Sequence, residues 1–275
     1  MERFVAYVNE RPEETPLFFY HLPKTGGTTV DGVLTALAAV RRRSFQLLPR
    51  KIGMREAAFP DHLRKSESAL VFAGHCLFGM HTELGVRVNL CTVLRHPVER
   101  VVSEYLWTCR FYGRAAKVSE TDFSDYLDNI AVPNLMTRLL IGSHEIAWGA
   151  TARAMEHLAS FYLVGSTARL DAFLGALLSS YGGPNVRMTR AKEERNPAKA
   201  ALAARFAETI AARNRHDVAL YAHGERHLFG RADEMLAAFT TPNPDDVVVR
   251  TVGAKSFELG RLKPRTAAAP ARSSG

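Results

Sequence analysis

Cysteine is scarce: the 275 residues contain three, Cys76, Cys91 and Cys109. An odd number with no framework spacing excludes a disulfide scaffold and points to reduced thiols. Cys-x-x-Cys pairs are missing, so His75, Cys76 and His81 have no zinc-site spacing around them. Long apolar runs are missing too. No stretch of eighteen apolar residues occurs, which excludes a spanning helix. Met1 to Pro16 carries Glu2, Arg3, Glu10, Arg11, Glu13 and Glu14 instead of an apolar signal core, so the cytoplasm is the expected compartment. There is no internal repeat, and no recognisable nucleic-acid module accompanies the basic residues. What remains is a globular composition, 47% hydrophobic, with a formal net charge of +8. That balance favours polyanionic partners: nucleotides, acidic glycans, nucleic acid or anionic membrane.

The most informative stretch is Leu17 to Val40. Leu17-Phe18-Phe19-Tyr20 reads as a buried strand. Pro23-Lys24-Thr25-Gly26-Gly27 reads as a tight turn, and Val30, Val33, Leu34 and Leu37 form one apolar stripe of a helix. Thr28 and Asp31 fit a capping box at its start. Two glycines let backbone N–H groups approach a ligand closely. The first helical turn carries unpaired N–H groups and partial positive charge, which suit a phosphate or sulfate. Lys24 adds a full charge; Thr25, Thr28 and Thr29 add hydroxyl donors.

Further strands are predicted at Ala69–Ala73, followed by Gly74-His75, and at Leu90–Leu94, followed by Arg95-His96-Pro97. Ligands of parallel sheets sit beyond the carboxyl ends of strands, so Lys24, His75 and Arg95 are expected near one another. Pro97 suits the first position of a helix. Ser103 lies two turns into it, an advance of roughly 11 Å, so Arg95 and Ser103 can reach one phosphate. Phe161–Ser166 reads as another strand, followed by a helix with Leu170, Phe173, Leu174 and Leu177 as its stripe. These features predict an α/β fold, P-loop-like, with three layers: a central parallel sheet flanked by helices. The expected organisation is an extension over 1–16, one domain over 17–239, and a C-terminal extension over 240–275 whose tail from about 263 reads as disordered. Within the domain, Leu47 to Lys65 reads as irregular and Arg187 to Pro197 as a basic loop placed to close over a ligand or simply solvated.

The lysine precedes the glycines in Pro23-Lys24-Thr25-Gly26-Gly27-Thr28-Thr29, whereas a nucleotide P-loop puts it after them. This order resembles the 5′-phosphosulfate loop of sulfotransferases that use 3′-phosphoadenosine 5′-phosphosulfate (PAPS). Arg95-x-Pro97-x-x-Arg100-x-x-Ser103-x-Tyr105 resembles the 3′-phosphate motif of the same family, in the family's order. The chain is most similar in character to the heparan-sulfate 2-O-sulfotransferase-like group, and Asn134-Leu135-Met136-Thr137-Arg138 and the segment Asn214 to Phe229 resemble later parts of it.

The resemblance implies specific roles. Thr25, Gly26, Gly27, Thr28 and Thr29 would cradle the 5′-phosphosulfate, with Lys24 at the leaving bridging oxygen. Arg95 and Ser103 would bind the 3′-phosphate. His75 would be the base that deprotonates an acceptor hydroxyl, with Glu83 as the alternative base. No metal is implied. The acceptor would be a sugar or another glycoside; oligomers occur among relatives. Two other readings stay open from the residues alone: a nucleotide kinase or NTPase of related architecture, and a basic nucleic-acid binder.

Overall fold

The computed structural model describes residues 14–48, 69–113, 118–182, 186–189, 197–239, 247–252 and 256–261. Five parallel strands form the central sheet: β1 (Leu17–Tyr20), β2 (Ser44–Leu47), β3 (Ala69–Gly74), β4 (Asn89–Leu94) and β5 (Leu163–Ser166), in the order β2-β3-β1-β4-β5. β1 pairs with β3 on one side, Phe18 opposite Phe72, and with β4 on the other, Phe18 opposite Leu90. All four β1 residues are buried. A continuous apolar run is what a strand needs when both of its faces are covered.

The period-two alternation of β1 sends its side chains into two cores. Leu17 and Phe19 meet α1 (Gly27–Val40) through Val30, Val33, Leu34 and Leu37, and α6 (Leu170–Ser180) through Phe173, Leu174 and Leu177. Phe18 and Tyr20 meet α4 (Leu135–Ile141), α5 (Ala150–Ala159) and α9 (Arg215–His227) through Met136, Leu140, Leu158 and Leu220. Truncating one such wholly buried leucine, Leu34 for example, costs ~2–5 kcal/mol. A third core joins α2 (Pro97–Phe111) to α3 (Glu120–Asn129), α7 (Pro197–Arg205) and α8 (Ala207–Arg213) around Val101, Tyr105, Phe123 and Ile210. The fold is thus three-layered α/β, as the strand and stripe patterns predict.

Strand order sets the site. From β1 the chain crosses to β2 and β3 on one side, then to β4 and β5 on the other, so the order reverses between β1 and β4. Such a switch point opens a crevice at the carboxyl ends of the two strands. Lys24 follows β1 and Arg95 follows β4.

Two expectations are revised. Ser44–Leu47 is an edge strand, so Leu47, expected to open the irregular stretch to Lys65, ends a strand instead; residues 49–68 lie outside the described residues. Arg187–Thr189 belong to β6 (Val186–Thr189), not to a loop. β6 pairs in parallel with β7 (Val247–Val252), which pairs in antiparallel with β8 (Ser256–Arg261). The end of the chain therefore adds strands to a segment of the preceding domain, and α10 (Gly230–Phe239) precedes them. The tail from 263 and residues 1–13 lie outside the described residues. All three cysteines are buried free thiols. Among the described residues no helix is long and apolar enough to cross a membrane.

Candidate anion-binding and transfer site

The turn after β1 is built around two left-handed residues, Lys24 at φ 66° and Gly26 at φ 85°. That conformation costs an ordinary side chain roughly 1–2 kcal/mol. Arg95 helps to hold it: Arg95 Nη1 donates to the Lys24 carbonyl at 3.1 Å, while Nε pairs with Glu99 at 3.3 Å. The buried Thr25 hydroxyl donates to the Leu22 carbonyl at 2.8 Å, so it closes the turn from inside. Thr28 is exposed and Thr29 half-buried, both on the first turn of α1.

The expected capping box does not form. α1 starts two residues earlier, with Gly26 as its cap and no cap side chain bonded to its N-terminus. The N–H groups of Gly26, Gly27 and Thr28 donate to no acceptor among the described residues. Asp31 is diverted elsewhere: its Oδ2 lies 3.0 Å from His21 Nδ1. The His21 ring in turn rests on Gly27, where a Cβ would come within 1.8 Å of its Nε2. Gly27 is therefore required by a neighbouring imidazole as well as by the turn.

His21 connects the turn to His75. The two rings lie 4.2 Å apart, and His75 Nδ1 is 2.6 Å from the His21 carbonyl. A carbonyl only accepts, so Nδ1 carries the hydrogen and, in the neutral ring, Nε2 carries the lone pair. His81, six residues on, has the opposite environment. Its Nδ1 is hydrogen-bonded to the Tyr20 hydroxyl at 2.7 Å, and burial, with His157 nearby, pushes its pKa down to about 4. His81 is thereby committed to the core. Glu83 sits exposed on the short 3₁₀ turn Met80–Leu84.

Lys24 is half-buried, and its Nζ lies 5.3 Å from the centre of the Trp107 ring. Burial, then the neighbouring charge of Arg95, lowers its pKa to about 8; Glu104 opposes that shift and Arg110 adds to it. Two cations held together in this way are mutually repulsive until an anion joins them. Ser103 is half-buried on α2, one turn before Trp107. Residues four apart share a helix face, so Ser103 stands on the side of α2 that meets Lys24.

Arg100 is different. It is wholly buried, pairs with Glu104 at 2.8 Å and finds no acceptor for Nε or Nη2 among the described residues. It belongs to the packing beneath the site. Asn134 and Thr137 are also structural. Asn134 Oδ1 accepts from the N–H groups of His216 and Asp217, and Asp217 accepts from the N–H groups of Met136 and Thr137. α4 and α9 cap each other. The two late segments singled out in the sequence are thus partners in one clasp.

Arg95 touches the Lys24–Thr29 turn at the Lys24 carbonyl, His75 reaches His21, and Ser103 shares a face of α2 with Trp107. His21 and Trp107 were not singled out by motif, and Asp31 was expected to cap α1 rather than to pair with His21. The one available signal was a histidine closing an apolar strand three residues before the lysine. No protein-family model and no curated protein matches the chain.

Proposed function

We propose that the protein is a PAPS-dependent O-sulfotransferase that acts on a hydroxyl of a sugar or glycoside. The observation that supports this most is the junction of Lys24 and Arg95 at the reversal of strand order, with Arg95 bonded to the Lys24 carbonyl. It yields two adjacent anion-binding sites with one cation in each. A donor that carries anionic groups at its 5′ and 3′ positions fits that pair.

The uncapped start of α1, with the N–H groups of Gly26 to Thr28 and the Thr28 and Thr29 hydroxyls, takes the 5′ end. Arg95 and Ser103 take the 3′-phosphate by charge-assisted and hydroxyl bonds. When bound, PAPS supplies a sulfuryl group that passes to the acceptor oxygen while the bridging oxygen departs with the bonding electron pair. Lys24 neutralises charge at that oxygen, and with a pKa of about 8 it is mostly protonated at pH 7. His75 Nε2 takes the proton of the acceptor hydroxyl. Its ring is fixed by the Nδ1 bond to the His21 carbonyl, the kind of anchoring that sets both tautomer and orientation. Asp31 holds His21 in place.

The test offers ³⁵S-labelled PAPS and γ-labelled ATP with Mg²⁺ separately, with a panel of glycosides. Label transfer from PAPS that is lost in His75→Ala supports the reading. Transfer from ATP alone overturns it.

A further inference from the structure

Packing does not account for the indole of Trp107. It stands 43% exposed on α2, one turn beyond Ser103, and joins none of the three cores. Phe111, one turn further and 66% exposed, stacks on it with ring centres 5.1 Å apart and planes 22° from parallel. Large aromatic rings left in water forgo much of their hydrophobic gain, so a stacked, exposed pair points to a partner. That partner is Lys24, whose Nζ lies 5.3 Å from the centre of the indole. An ammonium within ~6 Å of a ring centre is drawn to the negative face, most strongly for tryptophan.

Lys24 needs such a contact. Burial and the charge of Arg95, at the end of β4, favour its neutral form; Arg110 of α2 adds to this, and Glu104 of α2 opposes it. Arg95 fixes only the Lys24 backbone, through the carbonyl. The lysine stem remains flexible, and the indole holds its far end. A carboxylate in that place would cancel the charge that an anionic donor requires. An aromatic face holds the cation without cancelling it, and the ammonium keeps N–H donors for an oxygen.

Resting on the sulfotransferase reading, we infer that Trp107, braced by Phe111, is the positioning residue of Lys24. It holds the ammonium charged and in place to meet the bridging oxygen as that oxygen departs.

The protein has two tryptophans, and the other, Trp148, is 99% exposed. In the full chain with Trp148→Phe, fluorinated tryptophans therefore enter at position 107 alone. Fluorine withdraws charge from the ring face and nearly preserves its size and burial, which separates the cation–π contact from packing. The readout is the pH midpoint at which the Lys24 amine reacts with isotope-labelled acetic anhydride, followed by mass spectrometry. The indole favours the charged amine, so the midpoint is expected to fall stepwise from mono- to trifluorotryptophan, by about half a pH unit in all. Trp107→Leu, which keeps an apolar side chain without a ring, is expected to lower kcat about tenfold, and Trp107→Phe to restore most of it. An unmoved midpoint across the fluorotryptophans, or full kcat in Trp107→Leu, would overturn the assignment. Calorimetry on the same sample separates the two readings. Failure to bind 3′-phosphoadenosine 5′-phosphate overturns the donor reading and this role with it; nucleotide binding with an unmoved midpoint overturns the role of Trp107 alone.

Discussion

Two helices of this protein begin alike and end up serving different purposes. α1 follows a left-handed Gly26, and α4 follows a left-handed Asn134. At α4 the protein fills the N-terminus itself. Asp217 Oδ2 accepts from Met136 at 3.1 Å, and Oδ1 accepts from the Thr137 amide and hydroxyl at 2.8 and 2.7 Å. At α1 the equivalent carboxyl, Asp31, is withdrawn to His21 and the N–H groups stay uncapped. The first arrangement shows how an acidic group satisfies such a helix start. The second leaves that requirement to a ligand, with Lys24 and Arg95 beside it. The closed end contributes stability; the open end gives up some stability for binding, since it keeps a strained lysine and two like charges together.

Breaking the open end has the largest effect. Lys24→Ala is expected to lower kcat by about 10³-fold, the scale of losing a group that stabilises developing charge, while urea unfolding shows no loss of stability. Breaking the closed end gives the opposite pattern. Asp217→Ala leaves three buried donors without their acceptor, so unfolding is expected at ~3–5 kcal/mol lower cost.

A smaller effect tests the diversion of Asp31. Gly27→Ala puts a Cβ where the His21 ring lies, so His21 must swing away from both Asp31 and His75. kcat is expected to fall about tenfold with little change in nucleotide affinity. The paired change His21→Ala with Gly27→Ala is expected to be no worse than His21→Ala alone, because coupled residues do not add. Additive losses would place Gly27 outside this relay.

The smallest effect is a pH dependence. Lys24 has a folded pKa of about 8 against an ordinary value of 10.5. Between those values the unfolded chain binds more protons, so stability rises with pH across that window, and Lys24→Met is expected to remove that rise. Nucleotide affinity runs the other way and weakens as Lys24 loses its charge above pH 8.

Much of this was legible before any coordinates. The apolar run of β1, the stripe of α1 and the proline opening α2 specify their elements locally, and the strand ends predict the approach of Arg95 to Lys24. What the sequence did not show depends on partners far along the chain. The Asp31 spacing fits a cap, and only the position of the His21 ring explains why it makes none. Arg100 stands in the Arg95–Tyr105 motif, and the structure buries it in an ion pair with Glu104. Trp107 belongs to no motif, and its place beside Lys24 is a contact with a residue far back in the chain, which no local pattern encodes. β2 and β6 are short strands whose pairing partners lie 25 or more residues away, so alternation alone does not reveal them.

The central claim is that Lys24 and Arg95 grip the two anionic ends of one nucleotide. The direct measurement is calorimetric titration of the protein and of Arg95→Ala with 3′-phosphoadenosine 5′-phosphate and with adenosine 5′-phosphate, which lacks the 3′ group. The account predicts that Arg95→Ala weakens the first ligand at least tenfold and leaves the second nearly unchanged. Equal weakening of both, or tight binding of Mg²⁺-ATP with none of 3′-phosphoadenosine 5′-phosphate, would contradict it.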